Sequence, residues 1–249
     1  MKVLKTILGR VFAAWALLMF VATMIIYLIP FLLFCYYLPE PKKTYRFVSF
    51  SRIWMAVFLR LIGCPLTVRG KGNFAQGQNY IVLCNHNSLM DVPVSSPAIP
   101  GGNKTIAKIE MAKTPLFGMI YRTGSVLVDR KSDESRKESY NTMKKVLALG
   151  LHMCIYPEGT RNKTGQPLKS FHDGAFRLAM DTGKSIIPGI IFHTKKVLPV
   201  DKSFHLNPHK LELHFLPPIK ISGYKSVEGL KGHVFNLMKE YYEQNTGGR

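Results

Sequence analysis

At 249 residues, 47% of them hydrophobic, the chain has enough apolar material for one domain with a sizeable core and is too apolar to be disordered. Its 34 basic residues against 15 acidic ones, a formal charge of +19, imply anionic partners: nucleic acid, an anionic membrane surface, phosphorylated substrates or an acidic carrier protein. Cys35, Cys64, Cys84 and Cys154 form no CxxC pair, which argues against a zinc site or a disulfide scaffold and suits a reducing compartment.

The chain opens on a membrane-seeking segment. Residues 11–38 are a run of 28 without a charge; as one helix they would reach ~42 Å, beyond the ~30 Å hydrocarbon slab. Pro30 interrupts the run and bends a helix. Lys2, Lys5 and Arg10 precede it and Lys42, Lys43 and Arg46 follow, so positive charge at both ends gives no clear orientation. A helix broken near Pro30 that dips in and returns fits this pattern, and so does a single tilted span. A cleaved signal peptide fits poorly, because the run is too long and no small-x-small site follows it.

Residues 44–63 have a helical period. Arg46, Ser49, Arg52, Ala56 and Arg60 fall within one sector of about 120° on a helical wheel, and an aromatic-aliphatic surface surrounds them. Such a helix suits the headgroup boundary, where arginines meet lipid phosphates. The alternative is an ordinary domain helix whose apolar face meets the core. On the first reading residues 1–63 attach the chain to an anionic membrane surface and residues 64–249 form the active domain.

Beyond residue 64 the pattern alternates. Strands are predicted at 66–69, 80–84, 104–108, 125–129, 153–156, 186–192 and 211–215, several of them continuously apolar as in strands covered on both faces. Helices are predicted at 133–149, capped by Ser132 or Asp133 and ended by Gly150, at 171–182, ended by Gly183, and at 227–244. The fold class is therefore α/β, a mostly parallel central sheet flanked by helices, with an N-terminal membrane-embedded or interfacial helical segment.

Three strand ends carry polar clusters, the place where α/β folds put their sites. After the strand at 80–84 comes Asn85-His86-Asn87-Ser88-Leu89-Met90-Asp91. His86 and Asp91 stand about 140° apart on an ideal helix, so they meet only if His86 is on the loop and Asp91 in the first turn of a helix containing Pro93. The carboxylate would then fix the imidazole tautomer and leave the other nitrogen as a base. Taken alone, a histidine that caps a helix or is satisfied in a turn is the more ordinary reading. The strand at 125–129 ends in Asp129-Arg130, with Lys108 upstream. The strand at 153–156 ends in Tyr156-Pro157-Glu158-Gly159-Thr160-Arg161, where glycine admits a ligand to the backbone and arginine grips phosphate with two donors. A turn with a surface salt bridge explains that segment equally well.

Together, in this order and spacing, these residues resemble the glycerolipid acyltransferase family, and within it the bacterial 1-acylglycerol-3-phosphate acyltransferases. The resemblance runs from about residue 64 to residue 192, and the combination of HxxxxD with Glu-Gly-Thr-Arg is what makes it specific. It implies that His86 is the base and Asp91 its orienting partner. It also implies that Lys108 and Arg130 belong to a second block, and that Glu158, Gly159, Thr160 and Arg161 bind the glycerol phosphate of an acceptor. Ile187-Pro188 matches a fourth block. Where the family often has Phe-Lys before Gly-Ala, this chain has Phe171-His172-Asp173-Gly174-Ala175 and lacks that lysine.

The implied reaction is transfer of a fatty acyl group from an acyl thioester, acyl-CoA or acyl-carrier protein, to the free hydroxyl of lysophosphatidate, a lysophospholipid. It needs neither a metal nor a cofactor. The implied place is the bacterial inner membrane, with the active domain on the cytoplasmic side. Glycerol 3-phosphate and a lyso-aminolipid are alternative acceptors, and Lys108 or loop N–H groups are candidate donors to the oxyanion. A non-catalytic membrane lipid-binding protein is the rival outside the enzyme class. Nucleic-acid binding is not expected, because the basic residues are dispersed and no recognition module appears.

Several residues are set aside. Cys84, two before His86, reads as a buried strand cysteine rather than a nucleophile. Gly102-Asn103-Lys104-Thr105 lacks the glycine of a phosphate loop, and there is no Gly-x-Ser-x-Gly elbow. Apolar methionines such as Met111 and Met119 read as core. Histidines 152, 193, 205, 209, 214 and 233 show no ligand spacing and receive no role.

Overall fold

The apolar runs become seven strands: β1 (Leu66–Arg69), β2 (Ile81–Cys84), β3 (Asn103–Lys108), β4 (Ser125–Val128), β5 (His152–Ile155), β6 (Ile186–Phe192) and β7 (Leu211–Phe215). In the computed structural model, which describes residues 2–246, they form one sheet in the order β1-β7-β6-β2-β5-β3-β4. Neighbours pair in parallel except β6 and β7, which are antiparallel. Strands β2 to β6 therefore point one way and share a carboxyl edge, while β1 and β7 point the other way.

The helices are α1 (Lys2–Phe34), α2 (Lys42–Leu61), α3 (Asp91–Ala98), α4 (Phe117–Gly124), α5 (Asp133–Ala148), α6 (Gly174–Thr182), α7 (Thr194–Val197) and α8 (Val227–Thr246). Every residue of β2, β5 and β6 is buried, which is why those strands read as unbroken apolar runs. Successive side chains still point to opposite faces. Ile81 and Leu83 join a core with Met143 and Leu147 of α5, Phe176 of α6 and Val234 of α8. Val82 and Cys84 join the opposite core with Trp54, Phe58 and Leu59 of α2 and Val94 of α3.

Ser132 caps α5 by accepting the Ser135 N–H, and α6 ends at Gly183 in the left-handed region, φ 64°. Helix α4 escaped the pattern reading: it is eight residues long and follows Leu116, itself at φ 59°. That turn of the chain gives no sequence signal in a residue other than glycine or asparagine.

Helix α1 runs through Pro30 and ends four residues on, at Phe34, after which the chain turns and α2 runs back along it, with Phe31 against Phe47 and Thr23 against Trp54. At 33 residues it is ~50 Å long and is long and apolar enough to cross a membrane. One stripe, Ala13, Ala16, Met24, Leu28 and Phe31, is buried against the rest of the protein, while Ile7, Trp15, Leu18, Ile25, Ile29 and Leu33 lie exposed. A helix that leaves so wide an apolar face uncovered marks the chain as membrane-associated. Polar bonds fasten it to α2: Trp54 Nε1 donates to Thr23 Oγ1 at 2.9 Å, and Trp15 Nε1 to the Leu61 carbonyl at 2.9 Å.

The apolar face of helix α2 is covered by α1 and the domain core, while its stripe of Arg46, Ser49, Arg52, Ala56 and Arg60 stays exposed. Its Trp54, Met55, Phe58 and Leu59 are buried in the same core as β2 and β6. Its basic stripe is partly committed to protein as well. Arg52 donates from Nε to the Pro97 carbonyl (2.9 Å) and from Nη2 to the Ile99 carbonyl (3.1 Å), satisfying the open carbonyl end of α3.

Candidate active site

The carboxyl edge gathers the three polar clusters. At the end of β2, the Asn85 side chain takes the place of a strand neighbour: its Oδ1 accepts the Ile191 N–H at 2.7 Å and its Nδ2 donates to the Ile191 carbonyl at 3.0 Å. The chain leaves the sheet there, and α3 starts at Asp91.

Asp91 is fully buried. Its Oδ2 accepts the Asn87 N–H at 2.5 Å, the Ser88 N–H at 2.7 Å and a hydrogen bond from His86 Nδ1 at 2.8 Å. A carboxylate in such a cluster only accepts, so Nδ1 carries a proton, and in the neutral ring the lone pair is then on Nε2. The His86 ring stacks on Tyr156 of the β5 loop, centroids 4.5 Å apart and planes at 29°. Tyr156 shares its hydroxyl with Ser95 Oγ of α3 at 2.7 Å, and burial pushes the phenol well above its ordinary pKa. The imidazole is thus held at one edge and one face, and its side chain retains 19% exposure.

Glu158 stands beside this pair but faces inward. It is fully buried; Oε1 accepts the His86 N–H at 2.7 Å and Oε2 the Lys169 N–H at 2.9 Å. Burial raises its carboxyl pKa, and the two N–H bonds oppose that rise. Both oxygens thus pin the β2 loop to the segment after β5, a positioning contact beside the expected acceptor site. The Asn162 N–H adds a bond to the His86 carbonyl at 2.6 Å.

The cations gather on the turn after β5. Gly159 is left-handed (φ 70°), and the His172 ring lies 2.7 Å from where a Cβ would sit. Position 172, which lacks the expected lysine, is thus filled by a ring packed on this turn. Arg130, at the end of β4, reaches over to donate from Nη1 to the Gly159 carbonyl. Lys169 Nζ donates to Thr160 Oγ1 at 2.8 Å. Arg161 follows on the same turn, half-buried. Lys108 is exposed at the end of β3, two strands from β2, on the order of 10 Å across the sheet. It shares the edge with His86 without touching it.

The sequence reading gave no role to Tyr156, Ser95, Lys169 or the Asn87 and Ser88 N–H groups. Tyr156 had a signal, since it opens the β5 cluster. The others become visible only when separate segments meet. Cys84 is buried, and its neighbour Cys154 and its burial raise the thiol pKa, so no thiolate is available beside His86. All four cysteines are free and buried. Among the described residues, no group of three or more His, Cys, Asp or Glu side chains is placed to hold a metal ion.

The sequence model of the family described as Acyltransferase matches residues 65–192. A 1-acyl-sn-glycerol-3-phosphate acyltransferase of Cocos nucifera is 30% identical over 186 residues, 74% of this chain; the chain spans only 59% of that relative's length. One from Escherichia coli K12 is 26% identical over 212 residues, 82% of this chain and 83% of its own. The crystal structure of the 1-acyl-sn-glycerophosphate (LPA) acyltransferase PlsC from Thermotoga maritima superposes over 100% of this chain and 99% of its own, with a TM-score of 0.76 at 24% identity. That likeness concerns the fold.

Proposed function

The chain belongs to the acyltransferase family, and from that premise we propose that it moves a fatty acyl group from an acyl thioester to the free hydroxyl of lysophosphatidate, giving phosphatidate. One observation carries the chemistry: His86 Nδ1 is tied to a buried Asp91 at 2.8 Å, which in the neutral ring fixes the lone pair on Nε2, and the side chain stays partly exposed. Nε2 takes the proton as the acceptor oxygen attacks the thioester carbonyl. The tetrahedral carbon then expels sulfur, and the leaving thiolate recovers the proton from His86. General-base assistance of this kind contributes about 10²–10⁴ in rate. A thiolate leaves readily, so the step calls for no cofactor and no acyl-enzyme intermediate.

In this reading Arg161 and Arg130, with Thr160, Gly159 and Lys108, receive the acceptor's phosphate, while Glu158 positions the His86 loop. Residues 1–63 hold residues 64–249 at an anionic membrane surface, on the cytoplasmic face of a bacterial inner membrane, where lysolipid and thioester meet. Both acyl-CoA and acyl-carrier protein suit the +19 charge. The Cocos nucifera and Escherichia coli relatives, both 1-acyl-sn-glycerol-3-phosphate acyltransferases, support the choice of lysophosphatidate.

The test offers detergent-solubilised protein lysophosphatidate, glycerol 3-phosphate and a lyso-aminolipid, each with acyl-CoA and with acyl-carrier protein. Lysophosphatidate is expected to be acylated fastest. Preference for another acceptor would reassign the substrate, and acylation of none would overturn the enzyme reading.

A further inference from the structure

The opposite flank of the sheet edge carries a second cationic recess. His193 and Lys196, just after β6, and His209, Lys210 and Glu212, at the start of β7, line a cleft of about 300 Å³. The two segments meet because β6 and β7 are antiparallel, with Phe192 opposite Glu212. The His193 and His209 rings lie 4.9 Å apart. Lys196 and Lys210 are exposed. Glu212, the acid of this lining, bonds His214 Nε2 at 3.1 Å and lies 3.9 Å from Arg69, so its charge is answered within the protein.

This cleft is wired to the catalytic loop. The Leu198 carbonyl, two residues beyond Lys196, accepts from Ser88 Oγ at 2.9 Å, and Asn85, next to His86, is paired with Ile191. Lys195 Nζ reaches the Thr164 carbonyl at 3.3 Å on the loop after Arg161. Since β6 adjoins β2 and β7 adjoins β6, the cleft is about 5–10 Å from the end of β2 measured across the strands.

Two cationic sites thus share the carboxyl edge with His86, the turn after β5 with Arg130 and Arg161 and this cleft beyond β6. The proposed reaction has two substrates, and both carry phosphate. With the Gly159 turn receiving the acceptor, we infer that the cleft between His193 and Lys210 binds the phosphate-bearing handle of the acyl donor, holding the thioester over His86 from the β7 side. This rests on the acyltransferase reading. The shared chemistry is the phosphate of a phosphopantetheine arm, whether it ends in a nucleotide or in a carrier protein.

The test compares wild type with Lys196→Ala/Lys210→Ala and with Lys210→Glu; both lysines are exposed and outside the core. KM is measured for acyl-CoA, for acyl-carrier protein and for a phosphate-free acyl-N-acetylcysteamine thioester. Calorimetry with desulfo-CoA, which cannot react, reports binding independently of turnover. The double variant is expected to raise KM for acyl-CoA about tenfold or more, the loss expected for a charged hydrogen bond. KM for the phosphate-free thioester and for lysophosphatidate should stay within about twofold. A parallel loss with acyl-carrier protein assigns the cleft to the shared arm phosphate, and a loss confined to acyl-CoA assigns it to the nucleotide phosphates. An unchanged donor KM, an equal change with the phosphate-free thioester, or a shift in lysophosphatidate KM instead overturns the inference. If no donor is turned over by wild type, the acyltransferase reading fails, and the desulfo-CoA titration still decides whether this cleft binds phosphate.

Discussion

The loop after β2 and the turn after β5 occupy adjacent strand ends and are built in opposite ways. Around His86 the fixing contacts are short and buried: three bonds of 2.5–2.8 Å converge on one oxygen of Asp91, a tyrosine ring backs the imidazole, and Glu158 clamps the loop. Around Gly159 the charged groups are long, exposed side chains of Arg130 and Lys169 resting on a carbonyl and a hydroxyl. A base must hold one nitrogen in place to within a fraction of an ångström, whereas a phosphate is captured by charge that moves with it. The contrast separates residues that should control kcat from residues that should control KM.

Asp91→Asn attacks the rigid side and has the largest expected effect among the supporting residues. An amide in place of Oδ2 either confronts the Asn87 and Ser88 N–H groups with another donor or turns its oxygen to them and loses the charge. A fall in kcat of about 10²–10⁴ is expected, with about 1–3 kcal/mol of stability lost in a urea titration. Unaltered kcat would break the comparison at its strongest point.

Glu158→Gln sharpens it. Gln keeps one acceptor and places an amide NH₂ against the other N–H, so stability should fall by about 1–3 kcal/mol and kcat by about tenfold, with KM for lysophosphatidate unchanged. A rise in that KM alone would return Glu158 to the acceptor site. On the loose side, Arg161→Ala should raise KM for lysophosphatidate about tenfold and leave kcat within about threefold, an effect weakened by added salt. A kcat collapse there would erase the division between the two loops.

The smallest effect on rate comes from His152, away from both. Burial lowers its pKa from the ordinary 6.5 to about 4, and the neutral ring accepts the Tyr80 N–H at Nδ1, 3.0 Å. A depressed base contributes stability in full above pH 6.5 and loses it as pH falls toward 4, here on the order of 3 kcal/mol. Urea midpoints of wild type should drop across that window, and His152→Gln should flatten the drop while sparing kcat at neutral pH.

Much of this was legible in the residues. The seven strands of the described residues appear at the predicted segments to within two residues, and the placing of His86 on a loop with Asp91 opening a helix followed from their spacing, because a regular helix would keep them apart. What escaped was whatever depends on two distant segments. Glu158 reads as a ligand-binding carboxylate in its motif, yet burial and the Lys169 N–H, eleven positions on, make it a clamp. Helix α2 has the periodicity of an interfacial helix, and only the meeting of its Phe47, Trp54 and Phe58 with Phe31 and Phe20 of α1 shows which surface its aromatics cover. Histidines 193 and 209 show no ligand spacing along the chain; the antiparallel turn from β6 to β7 brings them together.

The central claim is that the imidazole of His86 moves the proton, and single-turnover acyl transfer by His86→Ala against wild type tests it most directly. The side chain is at the sheet edge and partly exposed, so the variant should fold and bind lysophosphatidate with affinity within about threefold of wild type. The transfer step should slow by about 10³ or more. A folded His86→Ala protein that transfers acyl groups within about tenfold of the wild-type rate would contradict the account.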